Sequence, residues 1–191
     1  MYPLVKRLFD ILLSATALVL LALPMALIAL AVRLDSKGPA IFRQERLGKN
    51  GKPFTLYKFR SMRMDAEKNG AKWASSNDDR CTKLGSKLRQ FRLDELPQLI
   101  NIIRGDMSLV GPRPERAVFY DEFVKTIPDF RDRLAVLPGL TGLAQINGGY
   151  DLGPAEKLVW DKKYIREQSF WLDIKIIFKT VLIVFNHDGA R

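Results

Sequence analysis

From Ile11 to Val32 the chain runs for 22 residues without a charge and is rich in Leu and Ala. As one straight helix this run would be roughly 33 Å long, enough to cross the hydrocarbon core of a bilayer. No other stretch restricts the fold so strongly, because a helix this apolar needs lipid or a full jacket of protein around it. A cleaved signal peptide does not fit, since the run is too long and leads straight into Arg33. Pro24 lies near its middle, where a proline removes a backbone hydrogen bond and bends a helix. Lys6 and Arg7 precede the run and Arg33, Lys37 and Arg43 follow it, so positive charge does not favour opposite sides. Spanning the bilayer and re-entering by the same face both stay open on these residues alone. The basic remainder belongs on the cytoplasmic side in either case.

That remainder constrains the chemistry. Across 191 residues, 31 Lys and Arg face 21 Asp and Glu, a net charge of +10 that favours a polyanionic partner. Nucleic acid, an anionic membrane surface and phosphorylated substrates all qualify. The single cysteine, Cys81, excludes an internal disulfide and fits a reducing compartment. The single histidine, His187, leaves no scope for a His/Cys zinc site or a serine–histidine triad. A metal here would be held by oxygens, which favours Mg²⁺ or Mn²⁺.

Ser36 to Pro39 and Gly48 to Pro53 read as turns, with β-like pieces at Ala40–Arg43 and Phe54–Ser61. A strand in the second piece places Phe54, Leu56, Lys58 and Arg60 on one side. Between Arg43 and Arg63 seven basic residues meet one acid, Glu45, with Phe42, Phe54, Tyr57 and Phe59 interleaved. The mixture could grip single-stranded nucleic acid. Beside an apolar segment it fits the lipid headgroup level better. Residues 65–80 read as a surface loop and Thr82–Arg92 as a short basic helix.

Phe91 to Arg104, FRLDELPQLINIIR, carries apolar residues at Leu93, Leu96, Leu99/Ile100 and Ile103, the spacing of one buried helical face. Asp94 and Glu95 stand where that helix should begin, with Pro97 in its first turn. Capping alone explains acids at a helix start. The other reading is a carboxylate beside a phosphate, acting as nucleophile or metal ligand once cations offset the repulsion. Farther on, Pro112 and Pro114 fix the backbone around Arg113, which suits bidentate phosphate binding. Glu115–Leu137 reads as one or two amphipathic helices broken near Pro128. Pro138–Gly149 is glycine-rich and could present N–H groups to a phosphate, though it lacks the P-loop pattern. Pro154–Phe185 reads as helical, its apolar run interrupted by Asp173, Lys175 and Lys179. An interfacial segment suits it better than a transmembrane span.

In this order the stretches KRLFD with its apolar hairpin, GPAIFRQERLGKNGKPFTLYKFRSM, LDELPQLINIIRGDMSLVGPRP, PGLTGLAQING and SFWLDIKI resemble the bacterial monotopic phosphoglycosyl transferases. The similarity runs over nearly the whole chain. It implies a mixed α/β, mainly helical fold. Residues 1–35 would form a re-entrant membrane helix–break–helix, and residues 36–191 a cytoplasmic, membrane-associated catalytic domain with amphipathic interfacial helices. Pro24 matches the helix-breaking proline, preceded here by Leu23 where the family often has serine. The implied reaction moves a sugar-1-phosphate from a nucleotide diphosphate sugar, usually a UDP-sugar, to polyprenyl phosphate at the cytoplasmic face of the bacterial inner membrane.

By the same resemblance Asp94 is the nucleophile and forms a covalent phosphosugar–aspartate. Glu95 completes the dyad, and both carboxylates help hold Mg²⁺. Lys58, Arg60, Arg89 and Arg113 fall at positions suited to substrate phosphates, and Gln145 and Asn147 at positions suited to substrate. Gly149 stands where the family often has arginine. Nucleic acid is then not a partner. Two rival readings are a membrane-anchored basic binding protein without catalysis and a phosphohydrolase that uses the dyad with water as acceptor.

Overall fold

The computed structural model describes residues 2–68, 70, 78–149 and 151–186. His187 and most of the segment 69–77 lie outside the described residues. Helix α1 (Tyr2–Leu20) and helix α2 (Ala22–Asp35) meet at an angle of 64°. The break falls at Leu21, not at Pro24 itself, and the proline explains the offset. Pro24 has no N–H to give to the carbonyl of Leu20, four residues back, and its ring crowds that carbonyl. The flanking bonds survive, Leu21 N donating to Ala17 O and Met25 N to Leu21 O, both at 2.8 Å. No single helix among the described residues is long and apolar enough to cross a membrane, but this bent pair is, by length and composition.

Helix α1 starts nine residues before the uncharged run and takes the charged residues with it. Its polar groups turn toward the rest of the protein. Arg7 donates to the carbonyls of Ile102 and Ile103 at 2.6 and 2.9 Å, and Asp10 accepts the Leu109 N–H at 3.1 Å. Lys6 and the Tyr2 hydroxyl reach Asp173 at 2.8 and 2.9 Å, and Tyr164 donates to the same carboxylate at 2.8 Å. The bent pair is therefore bolted to the globular part by hydrogen bonds as well as by packing.

The turn at Gly48–Lys52 joins β1 (Ile41–Leu47) to β2 (Pro53–Phe59) in an antiparallel hairpin, with Phe42 opposite Lys58 and Gln44 opposite Leu56. Helix α3 (Lys83–Gln90) is capped by Thr82, whose hydroxyl accepts the Gly85 N–H at 2.9 Å. Gly85 packs so tightly on β2's exit that a Cβ there would lie 1.9 Å from Ser61 O. The helix expected to begin at Asp94 and Glu95 is split. Leu93–Glu95 forms a 3₁₀ turn, and α4 (Gln98–Arg104) follows Pro97. Leu99 and Ile102 of α4 bury into the main core with Leu56, Met107, Val110, Tyr164 and Ile176.

A parallel pair, β3 (Ser108–Val110) and β4 (Gly139–Thr141), was not expected. Its backbones approach closely at glycines: a Cβ on Gly139 would lie 2.1 Å from Gly111 N. This contact holds the Pro112–Pro114 segment in place, with Gly139 N donating to Pro112 O at 2.9 Å. Helix α5 (Ala117–Phe123) and a 3₁₀ turn at Pro128–Ala135 occupy the region expected to break near Pro128. Their Tyr120, Phe130 and Leu134 build a second core together with Leu158 from farther along the chain. After α6 (Leu143–Ile146), the expected C-terminal helix divides into α7 (Pro154–Glu167) and α8 (Phe170–Asn186), with Ser169 O and Oγ accepting the first N–H groups of α8. Phe9 of α1 meets Phe170 of α8 edge-on at 5.3 Å. Beside that contact Leu8, Leu12, Trp171, Phe178 and Leu182 stay exposed, Trp171 to 78% and Phe178 to 64%.

Candidate active site

One cavity of about 360 Å³ lies between the β1–β2 hairpin, α3, the 3₁₀ turn and the Pro112–Pro114 segment. Asp94, Glu95, Lys58, Arg60, Arg89, Arg113 and Gln145 all line it, so the structure brings seven of the eight sequence-predicted residues together. Asn147 does not line it. Its side-chain amide folds back to donate to Leu143 O at 2.7 Å.

Asp94 and Glu95 are 6% and 8% exposed, on a turn whose first residue follows a left-handed Arg92. Neither side chain caps the helix, so the capping explanation for this acidic pair does not describe the fold. The two carboxylates differ in their surroundings. Glu95 is ion-paired to Arg113, and although burial raises its pKa, that guanidinium holds it below the usual carboxylate range. Asp94 forms no hydrogen bond among the described residues. Burial first, and the Glu95 charge second, push it up to about 6 against the pull of Lys58, Arg89 and Arg113. Adjacent carboxylates with such different environments are suited to different tasks.

The cations are placed by the fold. Lys58 comes from β2, with its ammonium 5.5 Å from the Phe42 ring centre, and burial lowers its pKa to about 8. Arg89 comes from the last turn of α3 and donates to Cys81 Sγ at 3.0 Å. Arg113 is set by the two prolines and by Arg133, which donates to its backbone carbonyl at 3.1 Å. Arg60 is used otherwise. Its guanidinium turns to the end of α2 and donates to Ser36 O at 2.6 Å, Lys37 O at 2.9 Å and Val32 O at 3.2 Å. These bonds cap the helix and tie the bent pair to the cavity wall, a geometry that leaves little of Arg60 for a phosphate. Gln145 donates to Leu140 O at 3.2 Å while its buried Oε1 has no partner among the described residues.

Several residues that shape the site have no local sequence signature. Arg133 and Asp161 form an ion pair at 2.6 Å, both 1% exposed at the side chain, behind Arg113. Arg46 pairs with Glu115 at 3.1 Å on the cavity wall. Arg7, which holds the C-terminal carbonyls of α4, had a faint signal as a charge close before an apolar run.

Among the described residues no three His, Cys, Asp or Glu side chains gather as a metal cage. The donor set is two carboxylates, one already engaged by an arginine. It fits a cation such as Mg²⁺ that keeps several waters and takes its other ligands from phosphates. Overall the cavity offers an open, buried carboxylate surrounded by cations, an arrangement that can receive a phosphoryl group and share its charge.

The chain's resemblance to known proteins covers this whole site. The bacterial sugar transferase model matches residues 1–187. A UDP-N-acetylgalactosamine-undecaprenyl-phosphate N-acetylgalactosaminephosphotransferase of Aeromonas hydrophila is 42% identical over 193 residues, covering 100% of this chain and 46% of that protein. A UDP-glucose:undecaprenyl-phosphate glucose-1-phosphate transferase of Escherichia coli K12 is 46% identical over 192 residues, covering 98% of this chain and 41% of that protein. One of the same name from Caulobacter vibrioides is 41% identical over 190 residues, 97% of this chain and 71% of that protein. The chain thus spans less than half the length of the first two relatives. With a family match across nearly every residue that builds the cavity, the chain belongs to the bacterial sugar transferase family.

Proposed function

We propose that this chain transfers a sugar-1-phosphate from a UDP-sugar to undecaprenyl phosphate through a covalent intermediate on Asp94. The observation that carries the proposal is the asymmetric dyad. Asp94 is buried, unbonded and flanked by Lys58, Arg89 and Arg113, while its neighbour Glu95 is held by Arg113. The names of the relatives supply the donor and acceptor classes.

In the first step an Asp94 carboxylate oxygen attacks the sugar-bearing phosphorus. The bond from that phosphorus to the bridging oxygen breaks, and UMP leaves with the bond's electron pair. In the second step an oxygen of the lipid phosphate attacks the same phosphorus. The Asp94 oxygen–phosphorus bond breaks, giving undecaprenyl-diphosphate-sugar and the free carboxylate. Lys58, Arg89 and Arg113 share the charge of the diphosphate so that a carboxylate can approach it. Glu95 fixes Arg113 and, with Asp94, presents oxygens to Mg²⁺. Bound with the donor, Mg²⁺ supplies further neutralisation of the phosphate oxygens. Gln145 Oε1 is an acceptor for a donor hydroxyl or amide.

The bent α1–α2 pair and the apolar face of α1 and α8 suit an enzyme seated in one leaflet. The α2 cap made by Arg60 holds the cavity beside that pair, so a phosphate floating at headgroup depth can reach Asp94. We assign that leaflet to the cytoplasmic face of the inner membrane, the side favoured by the basic residues that flank the apolar run.

The test is UMP release from UDP-glucose and UDP-N-acetylgalactosamine in nanodiscs with Mg²⁺, with and without undecaprenyl phosphate. Sustained release that needs the lipid and vanishes in Asp94→Asn supports the proposal. Release at the same steady rate without lipid would make the protein a hydrolase instead. Membrane association without release from any donor would return the non-catalytic binding reading.

A further inference from the structure

The cavity is lined by nine arginines, and eight of them are engaged within the protein. Arg113 pairs with Glu95, Arg46 with Glu115, Arg116 with Glu67, Arg133 with Asp161, Arg80 with Asp78 and Arg63 with Asp65. Arg89 donates to Cys81, and Arg60 to the end of α2. Arg92 differs. Among the described residues its guanidinium makes no hydrogen bond, ion pair or ring contact, although it lines the cavity two residues before Asp94 and its charge helps hold the Glu95 carboxyl down.

Its backbone is equally unusual. Helix α3 ends at Gln90 with Phe91 as C-cap, so Arg92 holds the next position, where a left-handed residue closes many helices and glycine is the usual choice. Arg92 has a φ of 54°, one of two non-glycine residues with positive φ among the described residues, and its N–H donates to Arg89 O at 3.0 Å. A side chain that disfavours this conformation stands where glycine would be easier, and it points into the cavity. Across from it Gly149, also at φ 54°, lines the same cavity, and a Cβ there would lie 4.0 Å from Arg92 Nη2. The missing side chain at 149 leaves the Arg92 guanidinium room. Strain kept at a cation that makes no hydrogen bond of its own within the protein and faces an open site is the pattern of a ligand-binding residue, not of a folding one.

We propose that Arg92, in the space cleared by Gly149, is a donor-binding residue that grips a phosphate of the nucleotide diphosphate sugar. The inference rests on the UDP-sugar reading above. Arg113 is ion-paired to Glu95, whereas Arg92 acts on that carboxylate only through space and can give both terminal nitrogens to phosphate oxygens.

The test uses the full chain in nanodiscs, carrying Asp94→Asn to prevent turnover, titrated calorimetrically with UDP-glucose and UDP-N-acetylgalactosamine in the presence of Mg²⁺. Arg92→Gly suits the left-handed backbone, so the apparent Tm should hold or rise. The expected result is a Kd about 10–100-fold weaker, the range for one charge-assisted hydrogen bond, with Arg92→Lys recovering part of the loss. Donor binding as tight as in the parent would overturn the proposal. So would a steady-state comparison in the active chain where only the KM for undecaprenyl phosphate rises, since Arg92 would then serve the acceptor. A parent that binds neither UDP-sugar, when the chain with Asp94 intact also releases no UMP from either, overturns the donor reading itself, a result seen before any Arg92 variant is compared.

Discussion

Replacing Asp94 by Asn should destroy transfer and make the protein more stable. Burial and the Glu95 charge raise the Asp94 pKa from 3.8 to about 6. The folded state therefore holds a proton more tightly than the unfolded chain between those values. Ionisation opposes folding in full above about pH 6, and the penalty fades as pH falls toward 4. Two pKa units correspond to about 3 kcal/mol, an upper bound for a group so strongly coupled to its neighbours. Asn is uncharged at every pH and escapes the penalty. For a chain of this size 3 kcal/mol is about 6–12 °C in Tm. The assay is thermal unfolding of the two proteins in the same detergent at pH 7.5 and pH 5. The gain should shrink to roughly half at pH 5, where the unfolded carboxyl is mostly ionised and the folded one mostly is not. An Asn variant that melts lower than the parent at pH 7.5, or gains equally at both pH values, would refute the reasoning.

Four further outcomes follow from the same geometry. The pH profile of kcat/KM for the donor should rise through about 6 as Asp94 ionises and fall through about 8 as Lys58 loses its proton, measured by UMP release. Asp161→Ala leaves Arg133 charged and buried, so it should destabilise by about 3–5 kcal/mol, read as a large fall in apparent Tm. Gly85→Val forces atoms into the Ser61 carbonyl and should separate α3 from β2, lowering both Tm and the donor affinity that depends on Arg89. Arg7→Ala removes two bonds to the end of α4 and should cost about 1–3 kcal/mol, visible as faster hydrogen exchange in the Gln98–Arg104 amides.

The parts of this protein that are local in sequence were legible there, and those made by distant chain segments were not. The bent pair follows from an uncharged run and one proline, and the hairpin from two β-rich pieces around a Gly-Lys-Asn-Gly-Lys turn. Lys58, Arg89, Asp94, Glu95, Arg113 and Gln145 do converge on one cavity. The break at Leu21 instead of Pro24 was derivable, because a proline acts on the carbonyl four residues earlier. The parallel β3–β4 pair was not, since three-residue buried strands carry no periodicity and their pairing depends on glycines far apart in the chain. Arg60 illustrates a different limit. Its alternation with Lys58 pointed to the same side, but a helix end 24 residues upstream took its hydrogen bonds. Arg92 reads as one more charge on a basic helix. Only the turn it occupies and the glycine it faces separate it from its neighbours.

The central claim is that Asp94 carries the phosphosugar before the lipid receives it. Isotope exchange tests it most directly: unlabelled UDP-sugar, labelled UMP and Mg²⁺, with the protein in nanodiscs free of undecaprenyl phosphate. A covalent intermediate predicts label entering UDP-sugar at a rate comparable to turnover, and none with Asp94→Asn. Full transfer activity without any exchange would contradict the account, because the lipid phosphate would then be attacking the donor directly.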